Sequence, residues 1–137
     1  MLIDIVGIDY PLKRNRFEIV YNLLSIFYNT RMLLSVVTHE YPKSFIPSIQ
    51  HLFPNAVWYE REIWDMFGIY FIKNNDMRRI LNDYAFEGHP LRKDFPVVGY
   101  SELNYSFGEK RVVKNFVSLS QMFRVYKFDN NWGYISK

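Results

Sequence analysis

The sequence predicts an α+β fold: a largely antiparallel sheet with helices packed on one face, followed by an extended tail that carries a hairpin. Three observations predict it. Residues 1–38 hold three runs of β-formers separated by turn residues, and one central stretch has the period and end signals of an α-helix. The charged segment that follows contains Gly88, Pro90 and Pro96, which forbid a long helix there. At 137 residues the chain can bury a real core without disulfide or metal staples.

The first strand is expected over Met1–Ile8, apolar and β-branched, ending at Asp9-Tyr10-Pro11. A second runs through Arg16–Phe27, and a third over Met32–Thr38 follows the turn residues Tyr28-Asn29-Thr30-Arg31. Ser44–Phe53 has the look of a short helix, with Pro47 near its start, where proline is tolerated. The next helix is bracketed more firmly. Asn55 is a candidate N-cap and Gly68 a candidate left-handed glycine, giving a helix over Ala56–Phe67.

Wound at 100° per residue, that helix places Val57, Tyr59, Ile63, Trp64, Met66 and Phe67 on one half of its circumference. Arg61, Glu62 and Asp65 fall on the other, as solvated or interface charges. Glu60 lies in the middle of the apolar half, where an unpaired carboxylate costs several kcal/mol. It calls for a cation, with Arg78-Arg79 nearest in sequence and Arg92-Lys93 next. Trp58 falls among the charges, where it either packs under a loop or meets another protein.

A short strand is expected at Ile69–Ile72. Residues 74–100 are then dense and aperiodic, crowded with Asp76, Arg78, Arg79, Asp83, Glu87, His89, Arg92, Lys93 and Asp94. Exposed ion pairs are each worth only about 0–1 kcal/mol, so such a loop orders itself poorly and docking against partners would account for it. A last hairpin, Ser101–Ser106 with Arg111–Lys114 around Phe107-Gly108, leads to a tail ending Phe128-Asp129-Asn130-Asn131-Trp132. The division expected is a core domain over 1–98 and an extended tail over 99–137.

The chemistry is mostly exclusion. With no cysteine, the chain offers no disulfide, thiolate zinc site, iron–sulfur ligation or cysteine nucleophile. His39, His51 and His89 lack the spacing of a helical metal site. There is no nucleophile elbow and no glycine-rich phosphate loop. Glu60, Glu62 and Asp65 point in different directions on the helix and form no acid–base pair. No apolar run approaches the roughly 20 residues of a membrane helix, and the first residues resemble neither a secretory nor a transit peptide. The net charge of +3 is concentrated in residues 101–137, with six basic groups against three acidic. Abundant Phe, Tyr, Ile, Asn and Lys suggest an AT-rich, organellar genome.

Three segments carry a resemblance: DYPLKRNRFEIVYNLLS (Asp9–Ser25), WYEREIWDMFGIYF (Trp58–Phe71) and DMRRILNDYAFEGHPLRKDFP (Asp76–Pro96). Together they resemble the NuoC-type subunit of the proton-pumping NADH:quinone oxidoreductase, respiratory complex I, in its mitochondrial form. The resemblance implies an α+β subunit of the peripheral arm, in the quinone module, with an extended segment wrapping its neighbours. It implies no cofactor on this chain; FMN, iron–sulfur clusters and ubiquinone would sit in other subunits. The implied partners are the large quinone-module subunit and the subunits carrying the terminal clusters, on the matrix side of the mitochondrial inner membrane, with the gene in the organelle.

Three departures stand out. Asn74-Asn75 stand where the family usually has His-Pro, and Ala85 replaces a usual glycine. Alanine is strained there if the position needs positive φ; otherwise the loop is simply less mobile. Family members also carry an N-terminal portion ahead of Met1, so the domain looks truncated, and that portion is either lost or supplied by another polypeptide. The residues expected at partner interfaces are Trp58, Glu60, Arg61, Asp65, Arg78, Arg79, Glu87, His89, Arg92, Lys93 and Asp94, with no catalytic, cofactor-binding or metal residue among them. The alternatives are an RNA-binding protein using the basic tail and a free-standing enzyme using Glu60, His89 and Asp94.

Overall fold

A computed structural model of the chain describes residues 1–39, 45–119 and 121–125. Three strands, β1 (Leu2–Asp9), β2 (Phe17–Ser25) and β3 (Thr30–Thr38), pair antiparallel in the order β1-β2-β3. Alternation decides their faces. Ile5, Gly7 and Asp9 stand opposite Tyr21, Ile19 and Phe17, and those positions line the inner face. A register shift between Leu2 and Asp4 turns Leu2 inward as well. The β2–β3 turn forms over residues 26–29, two residues ahead of the expected Tyr28–Arg31, with Asn29 at φ 48°, so β2 stops at Ser25 and β3 starts at Thr30.

The α-helix α1 (Ala56–Phe67) has the predicted bounds and packs on the inner face through Ala56, Ile63 and Phe67. It crosses the sheet at Gly7: a Cβ there would stand 2.9 Å from the Phe67 ring, so only glycine lets the helix come this close. Asn55 sits at the cap position, but its side chain donates to the Leu2 carbonyl at 3.2 Å instead of capping the helix. The Tyr59 hydroxyl likewise donates to the Ile3 carbonyl at 2.9 Å. Both polar groups tie the helix to β1.

The helix expected over 44–53 does not form. Ser44 lies outside the described residues, and from Phe45 onward the chain makes a short strand β4 (Ile46–Pro47), parallel to β5 (Phe71–Ile72), and then a turn. Pro47 and Pro54 leave too little room for a helix, and the Ser48 and Ile49 N–H groups are taken by the Ile72 carbonyl and by Glu60. Ile46 and Phe71 thereby complete the core around Phe17 and Ile19.

The chain divides into two compact units, Met1–Gly99 and the residues from Tyr100 onward. In the second, β6 (Ser101–Ser106) and β7 (Arg111–Phe116) form the hairpin the sequence predicts, two residues longer than expected. Phe128–Trp132 lies outside the described residues.

Candidate functional site

An α-helix ends with four carbonyls that have no partner inside it. In α1 the charged loop after β5 folds back and supplies those partners. Gly68, at φ 75°, returns its N–H to the Trp64 carbonyl at 2.9 Å. The Asp65 carbonyl accepts from His89 Nδ1 at 3.1 Å, the Met66 carbonyl from the Leu91 N–H at 3.1 Å, and the Phe67 carbonyl from Arg92 Nε at 2.6 Å. Because a carbonyl only accepts, His89 carries its proton on Nδ1. No basic residue lies in the last turn itself. The positive charge that favours a helix C-terminus comes instead from Arg79 and Arg92 in the loop.

The Asp65 side chain fixes the other end of that loop. It is completely buried, and its Oδ2 accepts the successive backbone N–H groups of Ile80, Leu81 and Asn82 at 3.2, 2.8 and 3.0 Å. Its Oδ1 takes the Asn82 side-chain amide at 2.7 Å and Arg79 Nη1 at 3.0 Å. Burial pushes this carboxyl upward, but the Leu81, Asn82 and Ile80 bonds outweigh it and hold it below the ordinary carboxylate range. Asp65 and Arg61 are therefore not solvated charges as the helical wheel implied; both are buried within their own chain, and only Glu62 faces solvent.

Glu60 is buried as predicted, with no exposed surface, but its partner is not a cation. Its Oε1 accepts from the Ile49 N–H at 2.9 Å and its Oε2 from the Asn74 side-chain amide at 2.7 Å. The two arginines nearest in sequence are committed elsewhere, Arg78 to Asp76 and Arg79 to Asp65. Two of the unusual residues now have structural meaning. Asn74 is a partner of the buried carboxylate, and Ala85 sits at φ 54°, a conformation that costs an L-residue about 1–2 kcal/mol.

A second staple joins the end of the loop to the sheet. Asp9, buried at the end of β1, accepts from Arg16 Nε and Nη2 at 2.8 and 3.0 Å and from the Lys93 N–H at 2.8 Å. Arg16 reaches on to Asp94 at 2.7 Å. These groups hold the Asp9 and Asp94 carboxyls low and raise the already high Arg16; for Asp9 burial opposes the shift, and for Asp94 the Arg16 bond is its main cause. The mixed charge is thus spent largely on bonds within the chain itself.

Of the eleven residues expected at interfaces, Glu60 and Asp65 face inward, while Arg79, His89 and Arg92 are half-buried as helix caps. Arg78, Glu87, Lys93 and Asp94 are exposed. Trp58 is 62% exposed and carries the Arg61 guanidinium 4.8 Å from its ring centre. Glu60, His89 and Asp94, the residues of the enzyme alternative, have separate partners and do not converge. Among the described residues no three His, Asp or Glu side chains come together in a way that could hold a metal.

Helical periodicity did not point to one further feature. The edge strand β3 exposes Met32, Leu33, Leu34, Val36 and Val37 across both faces. Beside it, Tyr21, Leu23, Leu34, Ile46 and Phe53 line an almost wholly apolar groove of about 390 Å³.

Residues 1–101 match the family described as respiratory-chain NADH dehydrogenase, 30 Kd subunit. The chain is 54% identical over 132 residues to the NADH dehydrogenase (ubiquinone) iron-sulfur protein 3 of Patellifolia webbiana, covering 96% of this chain and 68% of that one. The protein of the same name from Arabidopsis thaliana is 53% identical with the same coverage. The NADH-ubiquinone oxidoreductase subunit 9 of Reclinomonas americana is 49% identical over 131 residues, 96% of this chain and 63% of that one.

Proposed function

Because the chain belongs to the family of the respiratory-chain NADH dehydrogenase 30 Kd subunit, we propose that it is a structural, non-catalytic subunit of the quinone module of complex I. In this reading it holds cluster- and quinone-binding subunits in register while electrons pass from NADH to ubiquinone through centres it does not itself ligate. Two of these relatives are named iron–sulfur proteins, yet these 137 residues contain no cysteine and so offer no thiolate ligand for a cluster.

The observation that carries the structural role is β3. A long edge strand with five exposed large apolar residues is a liability for a free protein and an ordinary feature of one buried in an assembly. The exposed groups of the 58–96 segment, Trp58, Arg78, Glu87, Lys93 and Asp94, extend the surface available to partners. The partners are the large quinone-module subunit and the terminal-cluster subunits, on the matrix side of the mitochondrial inner membrane, with the gene in the organelle. No described helix is long and apolar enough to cross a membrane, which suits a peripheral position.

The test is a native gel of membrane extract probed for the chain. The expected result is co-migration with a large complex that oxidises NADH. Migration as a free chain, with the complex intact and lacking it, would overturn the assignment.

A further inference from the structure

Two of the arginines that anchor the loop have a carboxylate, and Arg61, buried beside them, has none within salt-bridge distance among the described residues. Arg16 has Asp9 and Asp94, and Arg79 has Asp65. Arg61 is only 8% exposed, and among the described residues its guanidinium makes a single hydrogen bond, from Nε to the Arg78 carbonyl at 3.0 Å. Asp76, the acid whose charge Arg61 feels, is already bridged by Arg78. A cation withdrawn from water without a counter-ion is costly, and the stacking on Trp58 offsets only part of that cost.

Arg61 lines an open cup of about 780 Å³ between the helix and the 79–85 loop. The wall of the cup is rigid, because Asp65 pins residues 80–82 from behind. Its rim is apolar and aromatic, with Trp58, Leu81 and Tyr84 all exposed, the composition of a protein-binding hot spot. The charge count limits the guest. Arg79 is neutralised by Asp65, and Asp83, whose Oδ1 accepts the Tyr84 N–H, is an exposed acid in the wall. Arg61 is thus the one lining cation without an ion-pair partner among the described residues, and the nearby acid disfavours a polyanion.

We propose that this cup receives a single Asp or Glu side chain from a neighbouring polypeptide, held by the terminal nitrogens of Arg61 and flanked by Trp58, Leu81 and Tyr84. The proposal rests on the reading of the chain as a subunit of an assembly and names one contact within it. An Arg–carboxylate pair of this kind is bidentate, so lysine is a poor substitute.

The experiment places a photo-reactive benzoylphenylalanine at Tyr84 of the full chain in its complex and maps the cross-linked peptide by mass spectrometry. The expected result is one cross-linked segment containing Asp or Glu. Arg61→Gln should lower its yield at least tenfold, Arg61→Lys only partly restoring it, with the thermal melt of the purified chain unchanged. If Arg61→Gln lowers that melt, amidation of the mapped acid, Asp→Asn or Glu→Gln on the partner, replaces it and should give the same tenfold loss. Cross-links confined to a segment without an acid, or yields indifferent to both substitutions, overturn the proposal while leaving the assembly reading intact. Failure of the unsubstituted chain to enter the NADH-oxidising complex overturns both.

Discussion

Asn74 donates its side-chain amide to the fully buried carboxylate of Glu60 at 2.7 Å, so that a neutral group stands where charge arithmetic asked for an arginine. The second oxygen of Glu60 accepts a backbone N–H, that of Ile49, so the carboxylate joins the helix to the β4 and β5 connections. Glu60→Gln replaces one acceptor by an NH2 that must face a donor. The expected cost is about 2 kcal/mol, read by urea denaturation, against less than about 0.5 kcal/mol for exposed Glu62→Gln. Equal effects at the two positions would show that burial of Glu60 is not what matters.

Asp65 has the larger share in loop order. Asp65→Asn removes the charge that satisfies five donors and is expected to cost about 3 kcal/mol. Asp83→Asn, nearby and exposed, is expected to be close to neutral. Hydrogen exchange is the sharper measurement: the Leu81 and Asn82 amides should lose protection in Asp65→Asn before the sheet does. Retained protection there would mean that the backbone alone holds the turn.

The loop should loosen in acid in two stages. Burial, helped by Arg92 and Arg79, holds the His89 imidazole below its ordinary 6.5, although its bond to Asp65 opposes this. The unfolded chain therefore takes up that proton first, so the His89 contribution is intact above pH 6.5 and is lost as pH falls below it. Asp65 acts in the same direction at lower pH: its contribution is present above the unfolded value of 3.8 and disappears as pH falls through the still lower folded value. The Trp64 ring lies 5.5 Å from His89 and reports the first stage. In a chain with Trp58 and Trp132 changed to Phe, fluorescence should step with a midpoint below 6.5, and His89→Gln should abolish the step. A midpoint at or above 6.5 contradicts the sign.

Ala85 holds φ 54°. Ala85→Gly removes about 1–2 kcal/mol of left-handed strain and adds about 0.5–1 kcal/mol of chain entropy in the unfolded state. The net expectation is a gain of about 0.5–1 kcal/mol, measured by chemical denaturation. A loss would show that the Ala85 methyl makes contacts worth more than the strain.

The strands and α1 were legible because alternation, turn residues and a glycine stop are local signals. Leu2–Asp9, Thr30–Thr38 and Ala56–Phe67 agree with expectation to within a residue or two. The 45–53 stretch misled because its apolar spacing suited a helix, while the partner that claims it, β5, lies 25 residues downstream. The wheel misplaced Arg61 and Asp65 for a related reason: it treats everything off the apolar face as solvent, and the 78–92 loop covers that side. A run of three N–H donors converging on one aspartate leaves no periodic trace. The excess of charge in residues 74–100 was legible, and only its targets were not.

The carbonyls that close α1 have consequences for synthesis. Its first turn is available once Asn55 and the residues after it have emerged, yet the bonds to the Asp65, Met66 and Phe67 carbonyls come from residues 89–92. On a ribosome the end of the helix therefore stays open while more than twenty further residues are made. The Asp9 bond to the Lys93 N–H closes at the same moment, so helix end and sheet edge are sealed together by one short stretch of chain. A translation stop or proteolytic cut before that stretch would remove the partners of the helix-end carbonyls and of the Asp9 carboxylate together.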